Sequence, residues 1–517
     1  MPSVIDPVAW IDAVLETDPG HLFIETSSRE TYTYRDLANI SGQISSALAQ
    51  RGVVAGDRVV VKVDKSPEAL MLCVACWRLG AVFVPLNPAY TIAELEYFLA
   101  DAEPRVIVLR PQDKECLAPV VQKKCAAYIE TLGCAQDGTL MELAHMRSST
   151  DFPKFAGSPD ELAALLYTSG TTGRSKGAMI SRRNLASNAA ALVKVWRLTQ
   201  ADVLLHALPI FHVHGLFIAC NPVLAAGAST LFLPKFNADE VARLIPRATI
   251  MMGVPTFYTR LLQRPDLTRN FTAHMRLFIS GSAPLLAETH RQFEIQTGHR
   301  ILERYAMTET LVNTSNPYEG KRLPGSVGLA LPGVEIRIVD PETGSPLSRP
   351  EAVGVLEVRG PNVFRGYWRN PEKTAAEFRP DGFFITGDLA KIDANNYVHL
   401  VGRAKDLIIT GGLNVYPKEV ETEIDALPGV VESAVIGLPH PDFGEGVTAV
   451  VAKAKRATID EGQVLKALND RLASYKHPKR ILFVDELPRN VMGKVQKNVL
   501  RDTYSALYQK ATAVKKS

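Results

Sequence analysis

Short apolar runs recur along the first part of the chain with helical patterns between them, and several end in Gly, Ser, Thr or Pro. They lie at 58–63 (RVVVKV), 81–85, 105–109, 162–168, 229–234, 249–253 and 276–280, with a helical pattern over Pro67–Leu79 after the first of them. Strands separated by helices pair mostly in parallel, and parallel sheets hold ligands at the C-terminal ends of their strands. After about Pro332 the pattern changes to strands between turns, at 333–339, 354–358 and 397–401. A boundary follows near Gly402-Arg403-Ala404-Lys405-Asp406, and beyond it helices (418–427, 461–472) alternate with strands (431–437, 447–454). The expected fold is α/β: a large N-terminal domain of two α/β subdomains plus a β-rich subdomain, with a small mobile C-terminal α+β domain. The expected division is 1–403 and 404–517.

A chain of 517 residues exceeds one compact core. With 46% hydrophobic residues, 22% charged residues and a net charge of +3, it has the composition of an ordinary globular protein. The charges are interspersed, so no broad field draws nucleic acid or an anionic membrane, and any anion site is local. The apolar stretch at 216–234 is broken by Asn221, Pro222, Gly227 and Ser229, and no span of about 20 apolar residues is present. The N-terminus has acidic residues and no basic run, so a cytoplasmic location is expected. Of six cysteines, Cys73 and Cys76 form a C-x-x-C inside an apolar helical run, without a second pair at zinc-like spacing. Structural thiols are expected there.

The segment Tyr167-Thr-Ser-Gly-Thr-Thr-Gly-Arg-Ser-Lys-Gly177 follows a strand and precedes a helix. Gly170 and Gly173 allow sharp turns, while Thr168, Ser169, Thr171 and Thr172 bring hydroxyl donors beside exposed backbone N–H groups, with Lys176 close behind. That combination cradles phosphate, and no register fits it to a Walker A loop.

With this loop the chain resembles the adenylate-forming superfamily of acyl-CoA synthetases, luciferases and peptide-synthetase adenylation domains. Further motifs follow in the family's order. Ser280-Gly-Ser-Ala-Pro284 resembles the strand end along the adenine, which implies nucleotide contacts for Gly281, Ser282, Ala283 and Pro284. Glu303-Arg-Tyr-Ala-Met-Thr-Glu309 resembles the Y-G-x-T-E segment, with Ala306 in place of the usual Gly. By that resemblance Glu303, Arg304, Tyr305, Ala306 and Met307 lie along the nucleotide, Thr308 donates to phosphate or carboxylate, and Glu309 is the Mg²⁺ ligand. Asp388, in Thr386-Gly-Asp388, would take the ribose hydroxyls, backed by Arg403. Lys405 is the implied hinge, Gly411 and Gly412 the implied CoA (thiolation) loop, and Lys494 the adenylation lysine that bridges acid and α-phosphate. ATP, Mg²⁺ and coenzyme A are the implied small molecules.

Over 206–215, 253–258, 274–282 and 303–315 the chain resembles malonyl-CoA synthetases in particular. A dicarboxylate needs a cation for the carboxylate that does not react. Arg276, Phe278 and Ser280 alternate as one face of a strand would, and the resemblance implies that Arg276 is the specificity residue, with His206 and Ser280 as helpers. His212 stands where the family places a ring at the pantetheine tunnel, and His214 carries no assignment. A structural ion pair for Arg276, a core role for His206, another acid as substrate, or nucleotide binding without turnover are the alternatives that the sequence leaves open.

Overall fold

The protein is described by a computed structural model covering residues 6–125, 127–168, 175–454, 456–469, 471–490 and 493–508. The first subdomain shows how local sequence sets its elements. The strand Arg58–Lys62 ends before Ser66, whose hydroxyl accepts from the Ala69 amide and caps the helix Pro67–Leu79. Pro67 fits the first helical turn, where no N–H is needed, and Gly80 closes the helix in the left-handed region at φ +75°. This helix is buried on nearly all sides, and Cys73 and Cys76 are free thiols inside it, raised in pKa by burial.

Among the described residues, six strands form the first sheet in the order Tyr128–Thr131, Val106–Leu109, Arg58–Lys62, Val82–Pro85, Leu162–Thr168 and Lys176–Ser181. All neighbours are parallel except the last two, which pair antiparallel and bring Thr168 opposite Lys176. A nine-stranded sheet forms the second subdomain. Its parallel centre runs Leu302–Met307, Leu277–Ser280, Ile250–Gly253, Val203–His206, Ser229–Phe232 and Leu22–Thr26. Antiparallel strands flank it on both sides. One large core fills the space around these two sheets.

The β-rich subdomain is the antiparallel sheet Glu335–Val339, Gly354–Arg359, Phe384–Ile392 and Val398–Arg403. A turn at Ala404–Asp406 leads to the small domain, where Gly444–Lys453 pairs with Val430–His440 and Arg480–Val484, and the helices Pro417–Asp425 and Glu461–Leu468 cover the sheet. The fold is the expected mixed α/β one, with a large N-terminal and a small C-terminal domain. No helix among the described residues is long and apolar enough to cross a membrane.

Candidate active site

The C-terminal ends of the two parallel sheets meet beneath the small domain. Thr168 ends its strand there, and its hydroxyl donates to Glu309 Oε1 across 3.4 Å. The rest of the phosphate-loop motif expected to bind nucleotide, Ser169, Gly170, Thr171, Thr172 and Gly173, lies outside the described residues. Thr308 and Glu309 occupy the turn between Leu302–Met307 and Leu311–Ser315. Tyr367 Oη lies 3.2 Å from Glu309 Oε1, and burial pushes the Glu309 carboxyl above its ordinary range. Lys176 stands close by, its ammonium 5.4 Å from the Tyr367 ring centre, its pKa lowered by burial and by Lys373. A buried carboxylate beside a phosphate loop fits Mg²⁺, which takes one or two carboxylates and otherwise phosphate oxygens and water.

The ribose-side residues are tied together. Arg403 Nε lies 2.7 Å from Asp388 Oδ1, the Tyr305 hydroxyl donates to Asp388 Oδ2, and Arg403 Nη1 donates to the Thr386 carbonyl at 3.3 Å. Lys494 reaches the same cleft from the small domain. Desolvation within the cleft lowers its pKa, as do Arg403 and Arg304, while Asp388 and Glu309 oppose them. It therefore stands within electrostatic reach of both Asp388 and Glu309.

Within the same cleft lies a guanidinium with two nitrogens unpaired among the described residues. Arg304 is 3% exposed, and neither Nε nor Nη2 has a hydrogen bond among the described residues. Gly281 packs flat against it: a Cβ there would lie 2.4 Å from Arg304 Cζ. Burial drops the Arg304 pKa to about 9. The adjacent Glu303 cannot neutralise it, because consecutive strand residues project to opposite faces. Glu303 instead accepts from the Gly325 amide at 3.1 Å, and burial raises its carboxyl to about 8. His214 Nδ1 lies 3.0 Å from Ser282 Oγ, while its Nε2 has no partner among the described residues; Ser280 Oγ is likewise buried and unpaired there. Ser282 holds φ +73°, a left-handed conformation that costs a non-glycine residue on the order of 1 kcal/mol and gathers at functional sites. Ala283 and Pro284 follow it. His212, with Nδ1 accepting from the His214 amide at 3.2 Å, is neutral: burial, Lys494 and Arg304 press its pKa to about 3.

Two expectations fail. Arg276 is not an acyl-pocket residue. Its Nε and Nη2 bind Asp202 at 2.8 and 2.7 Å, Nη1 donates to the Tyr318 hydroxyl, and the side chain lies at the start of the strand, away from Ser280. His206 is not free to help a substrate either. Nδ1 lies 2.7 Å from Lys65 Nζ and Nε2 lies 2.8 Å from the Gly215 carbonyl, so both ring nitrogens are taken. Ser280 keeps an unpaired hydroxyl. Ala306 lies at a register irregularity after Tyr305 and is not among the left-handed residues, so its methyl carries no backbone strain there. Met307 is partly buried between two apolar clusters.

In the small domain, Lys405 is exposed within the Ala404–Asp406 turn. Gly411 and Gly412, at φ +57° and +79°, make the tight hairpin between Ile408–Thr410 and Leu413–Val415. No motif in the sequence assigns His214 or Lys65. The spacing His206-x5-His212-x-His214 was the only sign of the first, and nothing local marks the second.

Residues 11–368 match the AMP-binding enzyme family, and 419–494 match the AMP-binding enzyme C-terminal domain. A mitochondrial malonate–CoA ligase of Mus musculus is 36% identical over 91% of this chain and 86% of its own. An indoleacetate–CoA ligase of Aromatoleum aromaticum is 35% identical over 95% and 97%. The crystal structure of ATP-bound MatB from Rhodopseudomonas palustris is 58% identical, covers 98% of this chain and 99% of its own, and superposes with a TM-score of 0.95. The apo form of MatB, with the same identity and coverage, gives 0.85. The chain belongs to the AMP-binding enzymes and is an acid–thiol ligase of their acyl-CoA synthetase branch.

Proposed function

We propose that the protein converts malonate, ATP and CoA to malonyl-CoA, AMP and pyrophosphate through malonyl-AMP. The observation that carries this is Arg304: a buried guanidinium with unpaired nitrogens, beside unpaired His214 Nε2 and Ser280 Oγ, across the cleft from Thr168, Lys176 and Glu309. A charge kept out of water without a partner costs several kcal/mol, and the second carboxylate of malonate would offset that cost bidentately. The similarity to malonate–CoA ligases supports the same acid.

In the first step a malonate oxygen bonds the α-phosphorus, the bond to the β-phosphate oxygen breaks, and pyrophosphate leaves. Arg304 holds the spectator carboxylate. Lys494 spans the reacting carboxylate and the α-phosphate, lowering the repulsion between two anions. Asp388 and Arg403 orient the ribose, and Glu309 with Thr168 receives Mg²⁺, which neutralises phosphate charge when bound. In the second step the CoA sulfur bonds the carbonyl carbon, the thiol proton is lost, and AMP departs. The small domain, residues 404–517, turns about Lys405 between the steps, so that the Gly411-Gly412 hairpin replaces Lys494 at the cleft.

Arg304→Met tests the acid. Loss of one partner of a buried charged pair removes about 2–5 kcal/mol, or about 30- to 5,000-fold in kcat/KM for malonate. Acetate, lacking the second carboxylate, should change little. Equal losses for both acids would return Arg304 to the nucleotide and leave malonate without a clamp.

A further inference from the structure

A cavity of about 170 Å³ lies between the two α/β subdomains, walled by Val61, Val63, Phe83 and Pro85 on one side and by Pro209 and Phe211 on the other. Its single basic wall residue is Lys65, on the first subdomain. The Lys65 amine reaches across the crevice and makes two hydrogen bonds to one residue of the second subdomain: His206 Nδ1 at 2.7 Å and the His206 carbonyl at 2.9 Å. It also lies over the Phe232 ring, 4.1 Å from its centre. No role in the reaction proposed above has yet been given to this amine.

We infer that Lys65 is a positioning residue that fixes the His206 tautomer and, through it, the loop carrying His212 and His214. The chain of bonds is continuous. An amine that donates to Nδ1 leaves the imidazole proton on Nε2, and that proton meets the Gly215 carbonyl at 2.8 Å. Gly215 is pressed against Pro209 so closely that a Cβ would fall 2.1 Å from the Pro209 carbonyl oxygen, so the loop has no slack to absorb a shift. Gly215 belongs to the π-helical turn His214–Ala219, a form that often marks functional sites. The turn is joined to the preceding loop by the Leu216 amide donating to the His212 carbonyl at 2.9 Å. Cys220 Sγ adds a second contact to the Gly215 carbonyl at 3.1 Å. Burial keeps both Lys65 and His206 well below their ordinary pKa ranges, and even a neutral amine has the two N–H bonds that His206 accepts.

The loop serves both ends of the cleft, but its cavity wall, Pro209 to Phe211, leads directly into His212. A loosened loop therefore acts first on entry of the CoA thiol, a consequence that rests on the two-step reaction proposed above. The test uses Lys65→Met, which keeps the side-chain length and removes the donor, and His206→Asn, which keeps an acceptor for Lys65 and loses the bond to Gly215. Pyrophosphate release without CoA is measured beside thioester formation from synthetic malonyl-AMP. Each variant should slow thioester formation about tenfold, as the loss of one buried hydrogen bond does, and slow pyrophosphate release far less. The double variant should be no slower than the worse single one, because both break one chain. Equal loss in both half-reactions, additive effects, or unchanged thioester formation would each overturn the inference. If Lys65→Met does not fold, the half-reaction split of His206→Asn alone decides. None of these outcomes alters the acid preference governed by Arg304, so failure here and failure of the malonate reading are told apart.

Discussion

Arg276, just before the strand Leu277–Ser280, gives Nε and Nη2 to Asp202, which also accepts from Thr199 and Thr249. Arg304, in the neighbouring parallel strand, leaves Nε and Nη2 unpaired. The register Ser280 opposite Glu303 sets the two arginines about five residues apart along the strand direction, roughly 16 Å. At the first end burial would raise the Asp202 carboxyl, yet Arg276, Thr199 and Thr249 together hold it below its usual range. At the other end burial shifts Arg304 down and Glu303 up; Lys418 offsets the Glu303 shift only in part, and neither residue makes an ion pair among the described residues. The closed network is what a folding protein needs, and the open one is what a ligand needs. In a parallel sheet the open end is the C-terminal one.

Lys494 completes the open end, and its removal should have the largest effect. Lys494→Ala should slow pyrophosphate release by about 10³-fold, as loss of a preorganised charge at a reacting phosphate does, and spare thioester formation from supplied malonyl-AMP. Gly411→Leu should do the reverse, since φ +57° is strained for leucine and the hairpin is the expected CoA element. Equal loss of both half-reactions in both variants would mean that one fixed domain arrangement serves both steps.

The two arginines themselves come next. Against the acid-selective loss expected of Arg304→Met, Arg276→Met should act on stability. It leaves Asp202, 3% exposed, without its cation, at a cost of up to about 3 kcal/mol. Thermal unfolding should show this, and kcat/KM should keep the same malonate-to-acetate ratio. A change in that ratio would reopen Arg276 as an acyl-pocket residue.

The strands and the order of motifs were legible because apolar runs and glycine-rich turns are local signals. The helix Pro67–Leu79 and the strand Leu162–Thr168 fall at the expected residues. Long-range pairing was not legible. Arg276 and Ser280 were placed on one face by their spacing, but spacing does not reveal which end of a strand meets the ligand, and the partner Asp202 is 74 residues away. Lys65, in the loop after the strand Arg58–Lys62, and His206, at the end of the strand Val203–His206, are 141 residues apart. His214 gained its place only when Ser282, 68 residues away, was seen beside it. Arg304 was grouped with the nucleotide because its motif is, although its side chain turns toward the histidine loop.

A smaller effect is expected at Ala306. Its methyl lies at the bulged register beside Tyr305 and is free of left-handed strain, so it acts by volume alone. Ala306→Gly should hold or raise the adenylation rate with malonate by up to about tenfold, the low end of what one methyl in a pocket is worth. A marked fall in rate with folding unchanged would show that the methyl is fitted to this pocket.

Glu303 offers the mildest perturbation of the open end, through stability and not rate. Its carboxyl has a pKa of about 8 in the folded protein against an ordinary value of 4.5, because burial disfavours the charged form. A raised pKa means that the native state binds the proton more tightly than the unfolded chain does. The contribution of Glu303 is therefore fully present below pH 4.5, and it is lost as pH rises from there through about 8. Glutamine keeps the oxygen that accepts from the Gly325 amide and has no proton to lose. Glu303→Gln should match the wild-type melting temperature near the acid end of this window and exceed it near pH 9, with the gap widening between them. The corresponding change at the closed end runs the other way. Asp202 is held below its usual range, so it contributes stability above the ordinary carboxylate pKa and loses it only as pH falls. Asp202→Asn should then destabilise most at neutral pH and progressively less toward acid. Parallel pH profiles for the two variants would mean that the ends of the sheet do not differ in the way their hydrogen bonds indicate.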